Sequence, residues 1–302
     1  MDEDAQGPPP APVVNGTPRE IAGGVFVVPD GRVPLVPNVG IVLGEDRALV
    51  VDTAMGPANG SRVRAFADEL AGPRQLLLTI THFHPEHGFG AQVFGDATIV
   101  YNRAQLDELH DKGGAYLEMF RTFGDGVAAQ LEGVELVDPD ETYDGGVERI
   151  DLGGRHVELH DIGRAHTRGD QVVFVPDERV LFTGDLVEER CFAIFPWFPP
   201  DDADVDGELW IAALERLEAL DPRIVVPGHG DVGGPEVIAT VREYLVQLRD
   251  ETRASAEAGL DADAAAEQID ASMRALHPDW VQPEWIVFGV RHFHAAWSSQ
   301  QS

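Results

Sequence analysis

The sequence has few cysteines and few basic residues. Cys191 is the only cysteine, so a disulfide bond cannot form within the chain. Lysine also occurs once, as Lys112, and Lys and Arg together number 22 against 53 Asp and Glu, which gives a formal net charge of −31. Such a negative surface repels phosphate groups, so we expect no nucleic acid and no membrane among the partners.

Long hydrophobic runs and a basic leader are missing as well. No stretch reaches the ~18 apolar residues of a membrane-spanning helix. The first residues, Met1-Asp2-Glu3-Asp4, are acidic where a secretory signal would be basic. We therefore expect a cytoplasmic protein. Hydrophobic residues make up 43% of the chain, which is usual for a globular protein with a full core.

The order of apolar runs predicts two similar halves. Residues 1–18 are rich in Pro, Gly and Asp, and they predict a disordered tail. Short apolar runs between residues 24 and 51, separated by turn residues, predict a meander of antiparallel strands before a helix at Ser61–Leu70. A second strand-rich stretch at 148–183 precedes a helix at 207–220. This repetition predicts two sheets covered by helices.

Two other regions leave alternatives open. Residues 103–133 have helical spacing interrupted at Gly113-Gly114 and at 124–126, and they form either a packing helix pair or a lid.

Residues 235–276 predict a pair of helices. The aromatic segment from Trp280 to Trp297 either packs back on the protein or forms the contact of a homodimer.

The most informative stretch is Thr81-His82-Phe83-His84-Pro85-Glu86-His87. It follows the apolar run 75–80, so we interpret it as a loop at the carboxyl end of a buried strand, where ligands gather in α/β folds. Residues two apart on an extended chain point the same way, so His82 and His84 can bind one metal from one side. Pro85 then bends the chain, which lets Glu86 and His87 face a second metal beside the first.

Further polar residues follow other apolar runs. They occur in Gly163-Arg164-Ala165-His166-Thr167-Arg168-Gly169-Asp170, in Phe182-Thr183-Gly184-Asp185, in Val226-Pro227-Gly228-His229-Gly230 and in Val50-Val51-Asp52-Thr53. In this order the motifs resemble the metallo-β-lactamase fold superfamily, whose pattern is His-x-His-x-Asp-His, then His, Asp and His. The resemblance runs from about Gly24 to Gly230. It implies an αββα sandwich of two mixed β-sheets flanked by helices at 19–234, and a C-terminal helical extension at 235–302 packed on that domain.

The resemblance also implies a binuclear metal site. The ligands would be His82, His84 and His166 for one metal, Glu86, His87 and His229 for the other, and Asp185 as the bridge. Asp52 resembles the family's aspartate that orients a ligand loop without binding metal. The implied cofactors are two divalent metal ions; we expect Zn²⁺, with Fe or Mn as alternatives.

Glu86 stands where the family usually has Asp. Its extra methylene adds about 1.5 Å of reach. Three outcomes are open: Glu86 ligates with a shifted loop, it binds bidentately and favours iron or manganese, or it swings away and weakens the second site.

The implied activity is metal-dependent hydrolysis. A metal-bound hydroxide would cleave an ester, thioester, lactone or lactam bond of a small-molecule acyl substrate, with Asp185 and Glu86 as the catalytic proton carriers. The alternatives are an iron-dependent oxidoreductase or dioxygenase on the same fold, or a metal-binding protein with weak turnover. Diiron relatives carry Glu where this chain has His84, which favours hydrolysis.

Other segments permit two interpretations each. The aromatic stretch 191–200 either caps the core or walls an apolar pocket. The loop 30–38 is either a flap over the site or a plain turn. Arg164 and Arg168 are either surface residues or binders of a substrate carboxylate. The remaining histidines are interpreted as structural or exposed: His110, His156, His160, His277, His292 and His294.

Overall fold

The computed structural model describes residues 10–195 and 204–300, and the chain divides into two compact units. The first unit comprises the chain up to Tyr101, Leu106–Tyr143 and Leu152–Gly154. The second comprises Asn102–Gln105, Asp144–Asp151 and the chain from Arg155 onward.

The first unit contains a seven-stranded mixed sheet. Its strands, in spatial order, are β1 (Arg19–Ala22), β2 (Val25–Val28), β3 (Val39–Leu43), β4 (Arg47–Val51), β5 (Gln75–Thr79), β6 (Thr98–Asn102) and β7 (Glu141–Tyr143). Strands β1 to β4 pair antiparallel, as the predicted meander requires, and β4, β5 and β6 run parallel. The sequence did not predict β1 and β7, because so short a strand carries no readable alternation.

The helices of this unit are α1 (Gly56–Ala71), α2 (Pro85–Gly88), α3 (Arg103–Phe120) and α4 (Asp125–Gln130), with a 3₁₀ turn at Ala91–Phe94. Helix α1 has a proline in its first turn and ends at Gly72, whose φ of 59° an L-residue rarely adopts. It buries Val63, Ala67 and Ala71, which lie four residues apart on one face.

Helix α3 runs without a break through Gly113-Gly114, where the sequence predicted an interruption. A Cβ added at Gly113 would come within 2.7 Å of Leu136 Cδ1. Glycine at this position therefore lets α3 pack closely against Leu136. The predicted break was wrong because glycine weakens a helix by only about 1 kcal/mol, which packing can offset.

Part of the predicted disordered tail is folded against the first unit. Val14 is buried, and its N–H donates to Asn59 Oδ1 at 2.9 Å. The Asn59 amide donates in turn to Pro12 O at 2.7 Å. The buried Val14 side chain and the Asn59 amide thus hold this segment in place, although its composition predicts disorder. Residues 1–9 lie outside the described part of the chain.

The second unit contains a five-stranded mixed sheet. Its strands, in spatial order, are β12 (Ile224–Val226), β11 (Val180–Phe182), β10 (Asp170–Val175), β9 (His156–Gly163) and β8 (Val147–Asp151). Strands β8 to β11 pair antiparallel, and β11 pairs with β12 in parallel. A parallel pair brings the carboxyl ends of both strands to one edge, which is where Asp185 and His229 follow.

The helices of the second unit are α5 (Gly207–Ala219), α6 (Glu236–Glu257), α7 (Ala262–Leu276) and α8 (Glu284–Gln300). The Asp206 carboxylate caps α5 by accepting from Leu209 N, and Asp261 caps α7 in the same way. Ile286 and Val290 of α8 are buried in one core with Trp210 and Leu245, so the aromatic segment packs within this unit. Among the described residues, every helix is too short or too polar to span a bilayer.

Candidate metal site

His82 and His84 follow the end of β5, and His84 has an extended backbone. His84 has φ −120° and ψ 155°, so the side chains alternate as in a strand. His82 Nε2 and His84 Nδ1 face each other at 3.0 Å. Phe83 points elsewhere and stacks on Tyr116 at a centroid distance of 6.3 Å. This alternation is what the sequence predicted for two ligands of one metal.

Glu86 and His87 lie in α2, a single helical turn, where the sequence predicted a loop. Pro85 starts this turn, since its fixed φ suits the first helical position. The N–H groups of His87 and Gly88 both donate to His84 O, at 3.0 and 2.9 Å. Glu86 is 6% exposed and His87 is fully buried. The turn reverses the chain so that both side chains remain inside.

Asp52 fixes this stretch from the end of β4. Its Oδ1 accepts from Thr81 N at 2.7 Å, and its Oδ2 lies 2.9 Å from His87 Nδ1. Because a carboxylate only accepts, His87 Nδ1 carries the proton and Nε2 presents its lone pair, as a metal ligand must. Asp52 itself has φ +68°, a strained conformation that Asp tolerates better than most residues.

His166 is oriented by a similar device in the second unit. Its Nδ1 lies 3.0 Å from the carbonyl oxygen of Ile194, which can only accept, so Nε2 again presents its lone pair. The ring packs edge-on against Trp210 at a centroid distance of 5.2 Å. Trp210 Nε1 donates to Leu186 O at 3.0 Å, one residue beyond Asp185. The histidine therefore has a fixed tautomer and a fixed ring plane.

Asp170 closes the loop that carries His166. Thr167 donates to it twice, from N at 2.9 Å and from Oγ1 at 2.6 Å. Burial raises the pKa of Asp170 to about 7, and the Thr167 bonds act in the opposite direction. The carboxyl group thus holds its loop from a fully buried position.

Asp185 lies between two histidines of the same unit. Its Oδ2 is 3.9 Å from His166 Nε2, and its Oδ1 is 3.7 Å from His229 Nε2. Both distances exceed a hydrogen bond. Each is short enough for the two atoms to share a metal ion, since zinc binds nitrogen and oxygen at about 2.0–2.2 Å. One carboxylate thus offers one oxygen toward each histidine, which is the disposition of a bridging ligand.

Gly228 leaves the space that this carboxylate fills. Its N–H donates to Gly184 O at 3.0 Å, and a Cβ added there would lie 1.9 Å from Asp185 Oδ1. His229 follows and forms an isolated parallel bridge with Glu188. Only glycine permits this approach of backbone to carboxylate.

The donor set fits metal ions. The candidate ligands form two groups, namely His82, His84, His166 and Asp185, and Glu86, His87, Asp185 and His229. Within the first unit, His82 Nε2 and His84 Nδ1 lie 3.0 Å apart, and within the second unit Asp185 lies 3.9 Å from His166 and 3.7 Å from His229. Imidazole and carboxylate are ligands that zinc, iron and manganese all accept. Glu86 is buried in the first unit, and which of the three outcomes above holds for it stays a prediction.

The neighbouring segments have mixed roles. Phe192 and Phe195 are buried in the core, so the described part of the aromatic stretch caps it, while residues 196–200 lie outside the described chain. In the loop 30–38, Asp30 N donates to Asn38 Oδ1 and closes a turn. Arg164 and Arg168 bond Asp204, through its carbonyl and its carboxylate respectively.

The other histidines have local contacts. His110 pairs with Asp138, His160 with Glu158 and His294 with Leu260 O. His292 accepts from Gly207 N, and His277 packs on Trp280.

Sequence reasoning missed Trp210 and the Ile194 carbonyl, because neither is near His166 in the chain. Asp170 stands in a motif that was noticed, but its role was not predicted. The sequence signal that could have predicted this role was an aspartate three residues after Thr167, at the start of a buried strand.

Comparison with known proteins agrees with this geometry. The family model of the metallo-beta-lactamase superfamily matches residues 32–229. The metallo-beta-lactamase type 2 of Bacteroides fragilis is 25% identical over 228 residues, covering 72% of this chain and 79% of that protein. The human acyl-coenzyme A thioesterase MBLAC2 is 27% identical over 217 residues, covering 66% of this chain and 75% of that protein.

A solved structure resembles the fold over most of the chain. The sec-alkylsulfatase Pisa1 from Pseudomonas sp. matches with a TM-score of 0.73 at 15% identity, covering 93% of this chain and 50% of that one. The chain thus spans half the length of that protein, and the likeness concerns the fold. The predicted fold class, two mixed sheets flanked by helices with C-terminal helices, is confirmed. This chain belongs to the metallo-beta-lactamase superfamily.

Proposed function

We propose that this protein is a metal-dependent hydrolase that cleaves an ester, thioester, lactone or lactam bond of a small-molecule acyl substrate. The observation that carries the proposal is the placement of Asp185, whose two oxygens face His166 and His229 at 3.9 and 3.7 Å. Both distances exceed a hydrogen bond, and the His166 Nε2 lone pair faces a carboxylate oxygen, a contact that a bound cation would stabilise.

The ligand roles follow the two groups described above. His82, His84 and His166 would hold one ion, Glu86, His87 and His229 the other, and Asp185 both. Two divalent ions, which we propose to be Zn²⁺, would lower the pKa of a water toward neutrality and polarise the substrate carbonyl. Fe or Mn remains compatible with the same ligands.

The chain's own residues hold and move the proton. Asp185 and Glu86 are the carboxylates placed to accept a proton from the attacking water and to pass it to the leaving group. Asp52 keeps His87 in the tautomer that leaves Nε2 available. The names of two relatives, a beta-lactamase and an acyl-coenzyme A thioesterase, support lactams and thioesters as the first substrates to test.

Metal content and turnover test the proposal together. Protein purified without added metal is analysed for zinc, iron and manganese, and then assayed with a chromogenic cephalosporin, a lactone and a thioester. We expect about two zinc ions per chain and hydrolysis of at least one substrate class. Iron in place of zinc, with consumption of oxygen and inert substrates, would contradict hydrolysis.

A matched pair of variants assigns the activity to this site. His84→Ala removes a proposed ligand and should lose metal and turnover together. His110→Ala removes an exposed histidine that bonds Asp138, and both properties should persist. Equal loss in both variants would mean that the assay does not report the proposed site.

A further inference from the structure

The single lysine of the chain contacts Tyr116, whose ring also contacts the proposed metal ligand His84. Of the 22 basic residues, all except Lys112 are arginine. Arginine presents a planar fork of donors, whereas lysine presents a compact point charge on a flexible stem. Lys112, which lies in α3, is therefore the only lysine ammonium of the sequence.

Lys112 is held between two buried groups on one face of that helix. Its Nζ lies 3.3 Å from Glu108 Oε1 and 3.4 Å from Tyr116 Oη, four residues before and after it. The Glu108 side chain is fully buried, and the Lys112 side chain is 15% exposed. The carboxylate thus anchors the ammonium from inside while the lysine side chain keeps contact with solvent.

Tyr116 connects this face to the ligand loop. Its ring meets the His84 ring edge-on at a centroid distance of 5.9 Å and stacks on Phe83 at 6.3 Å. The ammonium lies 5.7 Å from the centre of the same tyrosine ring. The Tyr116 ring thus contacts both the lysine ammonium and a proposed metal ligand.

An ammonium at this position favours a negatively charged group. In a chain of net charge −31, the surface at large repels an anionic group, and a local ammonium offsets part of that repulsion. We propose that Lys112 is a specificity-determining residue that binds a carboxylate of the substrate, remote from the bond that is cleaved. This rests on the proposed hydrolase function, and it adds the substrate class: acyl compounds with an anionic tail.

A matched pair of thioesters tests the proposal. Glutaryl-N-acetylcysteamine and pentanoyl-N-acetylcysteamine have the same leaving thiol and the same acyl length, and they differ in the terminal carboxylate. The metal-loaded wild type should prefer the glutaryl compound in kcat/KM. Lys112→Met should lower this preference about 10- to 100-fold, the effect of one hydrogen bond to a charged group, and the loss should fall on the KM of the glutaryl compound.

Lys112→Arg and Arg121→Gln are the controls. Lys112→Arg keeps the charge and should restore part of the preference. Arg121 follows the end of the same helix and pairs with the exposed Glu118, so Arg121→Gln should not alter the preference. Circular dichroism checks that each variant folds. If Lys112→Met lowers both substrates equally, or neither, the lysine only pairs with Glu108 and the proposal is overturned.

A binding measurement separates this proposal from the hydrolase proposal. Glutarate is titrated into metal-loaded wild type and into Lys112→Met by calorimetry. Binding to the wild type that weakens at least about tenfold in the variant supports the role of Lys112 even if no thioester is cleaved. Absent or equal binding overturns it, whatever the turnover. Inert thioesters in the presence of bound metal count against the hydrolase alone.

Discussion

The proposed ligands at 82–87 and those at 166, 185 and 229 are positioned by different means. In the first region, consecutive residues take their directions from local backbone, with an extended stretch, a proline and one helical turn. In the second region, residues far apart in the chain are held by the pairing of β11 with β12 and by close packing at Gly228.

This difference teaches where each region is vulnerable. The conformation of residues 82–87 depends on the few groups that hold their backbone, and Asp52 is the main one. The positions of residues 166, 185 and 229 depend instead on packing between strands and loops. A single added atom, such as a Cβ at Gly228, would displace a proposed ligand there. Changes in the second region should therefore produce the larger losses.

Gly228→Ala should have the largest effect. The new Cβ would overlap Asp185 Oδ1 and displace the proposed bridging carboxylate, so we expect metal affinity and turnover to fall by at least about 100-fold. Elemental analysis of folded protein measures the first, and the best substrate of the panel the second. Gly114→Ala is the control, because its Cβ would meet nothing within 4 Å. Full metal content in Gly228→Ala would refute this account of the bridge.

Asp52→Asn should have the next largest effect, on the locally built region. Asn tolerates the left-handed backbone at this position, so the change tests the side chain alone. With one oxygen, Asn cannot accept from both Thr81 N and His87 Nδ1, and metal affinity should fall about 10- to 100-fold. Competition with a chelator measures it. Exposed Asp68→Asn should leave the affinity unchanged; an equal fall there would point to charge alone.

Trp210→Phe should have a moderate effect on stability. It removes the N–H that bonds Leu186 O and shrinks the ring that packs on His166. The free energy of unfolding should fall by about 1–3 kcal/mol, measured by urea denaturation. Leu209→Ala, at a side chain that is 48% exposed on the same helix, should change it by less than about 1 kcal/mol. A loss as large at Leu209 would show that helix α5 as a whole is marginal.

His292→Gln should have the smallest effect, visible in the pH dependence. His292 accepts from Gly207 N at the start of α5, and burial lowers its pKa below the usual 6.5; Asp206, Arg164 and Glu208 also act on it. The unfolded chain therefore binds the proton more readily, so this group's contribution is full above pH 6.5 and is lost as pH falls through the lowered pKa.

Gln can accept the same bond without titrating. The free energy of unfolding of the wild type, minus that of His292→Gln, should decrease as pH falls from 7.5 to 5, by at most about 1.4 kcal/mol per pH unit. Denaturation at each pH measures this difference. A constant difference would mean that His292 does not titrate in this range.

Much of the fold could be predicted, since apolar runs mark strands wherever they are long enough. The meander at β2–β4, helix α5 and the C-terminal helices were anticipated, within a few residues. The predicted break at Gly113-Gly114 was wrong because the pattern does not tell whether a glycine breaks a helix or permits a contact. The cytoplasmic location and the absence of nucleic-acid and membrane partners stay predictions from charge and composition.

The sequence by itself determined the family, the order of the ligand residues and the chemistry that they can offer, because these depend on residue type and on spacing along one strand end. Only the tertiary structure decided that Asp185 turns one oxygen to each of two histidines, that Asp52 adopts a left-handed backbone, and that Tyr116 contacts both Lys112 and His84. The physical reason is that local spacing fixes the direction of a side chain within a few residues. The meeting of distant side chains depends on strand register and helix packing.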